Sequence, residues 1–404
     1  MRTWIRRLIA RTVLTRFVPG LAKKLGEHLS TVHHWSDDLL TADWPTLALL
    51  DDILREGGPD EIDFASGSPR FENLATTHKR LEERGLPPVA GLPILRGAVA
   101  RYLAAGGYEV CPGEQILITP GAFGAVHTIF DAFVGRGEAV VLPDPVAPLY
   151  TLAARSAKVR WVQTVTSRKQ LAGAMRGAKL LVVCSPNNPT GAMLGEAELE
   201  HLAWHARRSN VLILSDESFT AFAHDAEPLS ISAYAPERTL VVGSVSHSHA
   251  MAWARVGWIA GPRPLVRACM AAAGLRGPFV STTAQQTAAT ALGVLDATEP
   301  YRQDVERRRD YVSEQLNAMG LRTQKPAAGY FAWCKVPAGS GIEFARRIRQ
   351  TCRVRLMPGE LFGPSGVGRV RLTFGHDAGR LHEGLHRLAG QLVCERVRLP
   401  VESR

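Results

Sequence analysis

The stretch Val241-Val-Gly-Ser244-Val-Ser246-His247-Ser-His249-Ala-Met-Ala-Trp-Ala-Arg255-Val-Gly257-Trp258 decides how this chain is read. The apolar run that leads into it, Thr239 to Val242, has the length of a buried strand and ends in glycine and serine. Two hydroxyls, Ser244 and Ser246, then precede His247, and Arg255 stands eight residues beyond, followed by Gly257 and Trp258. His247 offers an imidazole, the usual near-neutral acid–base group, just past a strand end. His249 stands two residues on. No acidic or cysteine partner lies near it in the sequence, so a metal site is not expected.

Outward from this stretch, short apolar runs alternate with segments of helical spacing. Strands are expected over 115–118, 139–142, 159–162, 179–184, 211–214 and 239–242, with a helix over 122–133. Such alternation implies an α/β fold, a mostly parallel sheet with helices on both faces. Ligands of such sheets sit at the carboxyl ends of the strands. Thr119-Pro-Gly121-Ala122-Phe123 leaves one strand and starts a helix, so its free amides and the helix dipole suit a phosphate. Ser185-Pro-Asn-Asn188-Pro-Thr-Gly191 follows the strand ending at Cys184, and Leu214-Ser-Asp216-Glu-Ser-Phe219 follows the next. Toward the C-terminus, helical spacing over 283–316 predicts one long helix. Strands are expected over 329–336 and 369–375, the second carrying Arg371, and a helix begins at Ile342.

In this order and at this spacing, the segments resemble the fold-type I aminotransferases of class I/II, enzymes that use pyridoxal 5′-phosphate (PLP). The family pattern reads Ser-x-Ser-Lys, then an arginine eight residues past the lysine, then x-Gly-Trp/Tyr. Here only the Schiff-base lysine departs, and His247 stands in its place. Gly67-Ser-Pro69, Gly91-Leu-Pro-Ile-Leu-Arg96 and the loop from Val354 to Gly363 extend the likeness over roughly residues 60–395. The resemblance implies a large cofactor domain over 41–285 with a mostly parallel seven-stranded sheet, a linking helix over 286–318 and a small α+β domain over 319–404. It implies a homodimer with its site at the subunit interface. It also implies roles: Gly121, Ala122, Phe123, Ser244 and Arg255 at the cofactor phosphate, with Asn188 at the phenolic oxygen of the ring. Asp216 would pair with the pyridine nitrogen, keeping the ring an electron sink, and Phe219 would lie beside it. On the substrate side stand Gly67 and Arg371, whose fork of donors matches a carboxylate.

Four positions depart from the family. His247 has no primary amine to condense with an aldehyde. Phe219 lacks the hydroxyl of the family tyrosine, Ala147 replaces the usual aromatic over the ring, and Leu86 falls where many members carry a tyrosine. An imidazole can still move protons. Some sugar dehydratases of this fold are similar, with histidine for lysine and pyridoxamine 5′-phosphate (PMP) as a dissociable coenzyme. Two readings follow. One is an enzyme, a transferase or a lyase, using PLP or PMP held without a covalent bond on an amino or keto acid, with His247 as proton shuttle. The other is an inactive homologue that binds a ligand or partner, or an enzyme that reuses the cleft without pyridoxal. Retention of Asn188, Asp216, Ser244, Arg255 and Arg371 favours the first, and the lost lysine, tyrosine and aromatic favour the second.

A chain of 404 residues, 46% hydrophobic, can bury the cores of one large and one small domain. Its net charge is +10, and part of the excess is local: Arg2, Arg6, Arg7, Arg11, Arg16, Lys23 and Lys24 precede the first acid, Glu27. Trp4, Ile5, Leu8, Ile9, Val13 and Phe17 recur at helical spacing until Pro19-Gly20. This amphipathic arm over 1–40 is expected to pack across a dimer partner rather than on an anionic membrane surface. No nucleic-acid motif accompanies the charge, so no nucleic-acid partner is expected. Six cysteines without a CxxC pair suit a reducing cytoplasm and argue against a disulfide framework or zinc. No run of eighteen apolar residues predicts a membrane span.

Overall fold

The computed structural model describes residues 60–65, 87–157, 159–164, 168–277, 279–294 and 297–398, together with positions 49 and 53. The arm over 1–40, Gly67 and Leu86 lie outside the described residues. Ile53–Arg404 form one compact unit, to which every element below belongs.

After the short strand β1 (Ile62–Asp63), the chain lays down β2 (Ile116–Thr119), β3 (Ala139–Pro143), β4 (Arg160–Thr164), β5 (Ala178–Cys184), β6 (Leu212–Asp216), β7 (Thr239–Ser244) and β8 (Gly257–Ala260). These seven, β2 to β8, form one sheet in the order β2-β8-β7-β6-β5-β3-β4. Strands β3 to β7 are mutually parallel, whereas β8 runs antiparallel to both β2 and β7. Strands β2 and β7 are buried along their whole length, as a sheet covered on both faces requires. The fold is that of fold type I, as expected. Strand β8 is a finding: it begins within the last two residues of the stretch read above for its chemistry. It is antiparallel because the chain returns directly from β7 through a one-turn helix, Val245–Ser248, and a 3-10 turn, Ala252–Ala254, with no crossover helix.

The single helix expected over 283–316, the core of the linking helix over 286–318, needs correction. It is two helices, Thr282–Leu292 and Glu299–Ala318. Gly293 caps the first through its amide to Ala289 O, and Pro300, which has no N–H to donate, opens the second. The first packs Ala288 and Leu292 against Leu95 and Val99 of the helix Pro93–Ala105.

A second sheet, in the order β12-β13-β10-β9, joins β9 (Arg322–Thr323), β10 (Phe331–Lys335), β12 (Met357–Pro358) and β13 (Arg369–Thr373), while β11 (Val354–Arg355) pairs with β1. Its core gathers Tyr330, Phe331, Phe344, Val370 and Phe374, and takes in Phe219 and Phe222 from just beyond β6. That insertion carries the carboxyl end of β6 to the small sheet and so positions the site. Among the described residues no helix is long and apolar enough to cross a membrane.

Candidate functional site

The expected positions gather where ligands of such a sheet sit. Gly121 follows β2, Ala147 follows β3 and Asn188 follows β5, while Asp216 closes β6 and Ser244 closes β7. Ser244 Oγ accepts from Ser246 N at 3.0 Å and donates to Val256 O at 3.0 Å. It thereby caps the one-turn helix and ties it to the chain returning into β8. On that helix His247 lies with its ring 4.5 Å from Phe219, tilted by 34°. Its Nδ1 stands 2.8 Å from the Tyr330 hydroxyl. Burial pushes the Tyr330 phenol well above its usual range, against the nearby Arg371 charge, so the hydroxyl keeps its proton. His249 is different in kind. It is buried with Nδ1 2.8 Å from Ser248 Oγ, and burial lowers it to about 4, which makes it a neutral packing group.

Asp216 is a buried carboxylate with two donors. Tyr150 donates to Oδ2 at 2.5 Å and the Ser218 amide to Oδ1 at 3.0 Å. Burial first, and the Asp216 charge second, hold the Tyr150 phenol well above its usual range. Tyr150 is therefore a neutral donor that fixes the acid in place.

Arg371, in the middle of β13, is 4% exposed. Its Nη1 donates to Asn188 Oδ1 at 2.9 Å and its Nη2 to Ala65 O at 2.7 Å, while Nε is buried without a partner. The guanidinium lies 4.2 Å from the centre of the Phe331 ring and 5.2 Å from that of Phe362. Burial lowers its pKa to about 10, with Tyr330 and Asp63 acting in the other direction, so it stays cationic at neutral pH. None of the ion pairs among the described residues involves it. A buried charge in this condition calls for an anion.

The second anion-seeking group is Arg255, held at φ 51°, with Nη1 3.5 Å from Ser246 Oγ. It lies against Gly121, the first residue of the helix Gly121–Phe133: a Cβ on Gly121 would meet Arg255 Nη2 at 2.6 Å. A Cβ on Gly257 would in turn fall 2.5 Å from Gly121 C. Bare backbone, a helix N-terminus and a guanidinium make a cradle for phosphate. Ala122 is partly buried behind it. Phe123 is exposed, with its ring 4.7 Å from that of His127.

Three contributors escaped the sequence reading as site residues. Ser246 stands beside His247, and its Oγ lies 3.5 Å from Arg255 Nη1. Tyr150 stands three residues after Ala147, one helical turn on, and that spacing was the available signal. Tyr330 gave none, since it reaches His247 only through tertiary packing.

The donor set fits PLP in part. Arg255 with Gly121 suits its phosphate, and Asp216 suits a ring cation. Of the lysines whose side chains are described, Lys179 pairs with Glu138 and Lys325 with Asp310, while Lys335 lines another cleft. Ala147 and Phe219 present neither an aromatic cover nor a phenol.

Comparison with known proteins bears on the same region. Residues 59–388 match the family described as aminotransferase class I and II. The probable N-acetyl-LL-diaminopimelate aminotransferase of Bacillus subtilis is 28% identical over 347 residues, 81% of this chain and 88% of that protein. An aspartate aminotransferase of Streptomyces avermitilis is 30% identical over 372 residues, 83% of this chain and 90% of that one. Among solved structures, the aspartate aminotransferase of Thermus thermophilus with maleate superposes with a TM-score of 0.76 at 28% identity, covering 85% of this chain and 96% of that one. The chain belongs to the class I and II aminotransferases.

Proposed function

We propose that the chain is an enzyme of this family that acts on an amino or keto acid with PLP or PMP held without a covalent bond to the protein. The observation that carries this reading is Arg371, a buried cation in no ion pair among the described residues, bonded to Asn188 and set beside the Tyr330 that holds His247. When bound, the cofactor supplies an electron sink for charge left at the substrate α-carbon. Arg371 takes the substrate carboxylate and orients it. Asp216, fixed by Tyr150 and Ser218, supplies the negative charge for a ring cation. Arg255, Gly121 and Ser246 receive the phosphate. His247 stands where the family has its lysine. With no amine to condense with an aldehyde, it takes and returns a proton at the α-carbon, its ring held by Phe219 and its Nδ1 by Tyr330.

Family members are typically dimeric, and a homodimer is proposed here too. Phe123 and Trp253 stand two residues from Gly121 and Arg255, and both are exposed apolar side chains, as are Ile94 and Leu275. The cytoplasm is the proposed compartment, on the scatter of unpaired cysteines. A second reading, a ligand-binding homologue without turnover, is favoured by Ala147 and Phe219, which leave a ring poorly held.

Borohydride reduction of PLP-loaded protein, followed by peptide mass spectrometry, tests the proposal. The expected result is no pyridoxyl adduct on the parent chain and an adduct at position 247 in His247→Lys. An adduct on another lysine of the parent overturns the non-covalent reading.

A further inference from the structure

Next to Arg371 the small sheet carries a second set of cations, Arg322 and Lys335 exposed and Arg369 half-buried. Lys335 in β10 has Arg369 of β13 as its Cα partner on one side and Arg322 of β9 on the other. Three cationic residues thus stand abreast on adjacent strands, about 4.8 Å from one strand to the next. Trp333, two residues before Lys335 and so on the same face, is paired in register with Arg371. Arg322, Lys335, Arg369 and Trp333 line one cleft of about 460 Å³ together with Asp144 and Ser365. That volume suits a small organic ligand.

Three cations against one acid leave this cleft with a net positive charge. None of the ion pairs among the described residues involves Arg322, Lys335 or Arg369. Arg369 lies instead over the Trp333 ring, 5.9 Å from its centre. Asp144, the one acid in the lining, is turned to Ser365, accepting from its hydroxyl at 2.7 Å and from its amide at 3.3 Å. Like charges set directly opposite each other on neighbouring strands destabilise a sheet, and Lys335 faces one on each side. An anion laid across the three strands removes that repulsion.

We propose that this cleft binds a polyphosphate-bearing small molecule of the nucleoside di- or triphosphate class, its phosphates on Arg322, Lys335 and Arg369 and its base against Trp333. The site is separate from the pyridoxal reading and stands or falls without it.

Calorimetric titration of the full chain with ADP, pyrophosphate and adenosine, free of divalent cations, tests this. ADP and pyrophosphate bind, ADP more tightly, and both weaken as salt is raised. Lys335→Gln weakens both by about tenfold or more and raises the melting temperature of the ligand-free protein, since it removes both cross-strand repulsions. Arg267→Gln, at an exposed cation elsewhere, changes neither. Trp333→Leu weakens ADP and leaves pyrophosphate unchanged. If pyrophosphate matches ADP and Trp333→Leu has no effect, the base platform is overturned and the cleft takes the phosphate chain alone. No binding of ADP or pyrophosphate at about 1 mM, or equal losses in Lys335→Gln and Arg267→Gln, overturns the site, the second result pointing to non-specific attraction by a chain of net charge +10.

Discussion

His247 is held from two sides, by Phe219 against its ring and by the Tyr330 hydroxyl at Nδ1. A group that moves a proton contributes to rate and little to ground-state binding. His247→Ala should therefore slow exchange of the substrate α-proton with solvent by about a hundred- to ten-thousand-fold while leaving PLP affinity nearly unchanged. Equal exchange rates in parent and variant, followed by NMR in deuterium oxide, would assign the chain to the ligand-binding reading. Glu217, next to Asp216, gives a separate prediction about stability. Its Oε1 accepts from Ser215 Oγ at 2.8 Å and Ser230 Oγ at 2.5 Å, yet burial raises its carboxyl to about 7 from an ordinary 4.5. Between those values the native chain keeps a proton that the unfolded chain has released. The contribution to stability is full below pH 4.5 and is lost as pH rises through 7. His249, lowered to about 4, acts in the opposite sense, losing its contribution as pH falls below its ordinary range. The difference between Glu217→Gln and parent isolates the first effect, since glutamine keeps the acceptor oxygen. Relative to the parent, the variant should gain up to about 3 kcal/mol between pH 5 and pH 8 in urea titrations. A flat difference would place a charged Glu217 in the native state throughout.

At the scale of elements, the strand-to-helix turns carry the site, and two glycines set how closely they approach. A Cβ on Gly257 in β8 would fall 2.5 Å from Gly121 C, backbone that cannot swing aside. Gly257→Ala should cost about 1–3 kcal/mol of stability and weaken phosphate binding together with it. Denaturant titration and a PLP titration of the same variant check both halves. Much of this was legible in the chain. Buried parallel strands read as short apolar runs, and the residues at their ends, Gly121, Asn188, Asp216 and Ser244, lie at fixed distances from those runs. Strand β8 was not legible, because four residues interrupted by no turn signal look like the tail of a motif. The break between Leu292 and Glu299 was masked by apolar spacing that happens to continue across Gly293 and Pro300. Tyr150 and Tyr330 reach the site through packing of distant segments, and the Arg371–Asn188 bond spans 183 positions of sequence. No local pattern encodes such contacts.

For the whole molecule, the exposed apolar residues near Gly121 and Arg255 predict self-association. Sedimentation equilibrium at micromolar concentration should give twice the chain mass, and Trp253→Glu should shift it toward the monomer. A monomer at every concentration would leave those side chains without a covering partner. The central claim concerns the cofactor, and equilibrium titration of the purified protein with PLP and with PMP tests it most directly. The account predicts saturable binding below about 1 mM, reversed by dialysis and weakened about tenfold or more in Arg255→Gln. If neither compound binds up to about 1 mM, the pyridoxal reading is contradicted, and Asp216 and Asn188 are inherited structure in a cleft put to another use.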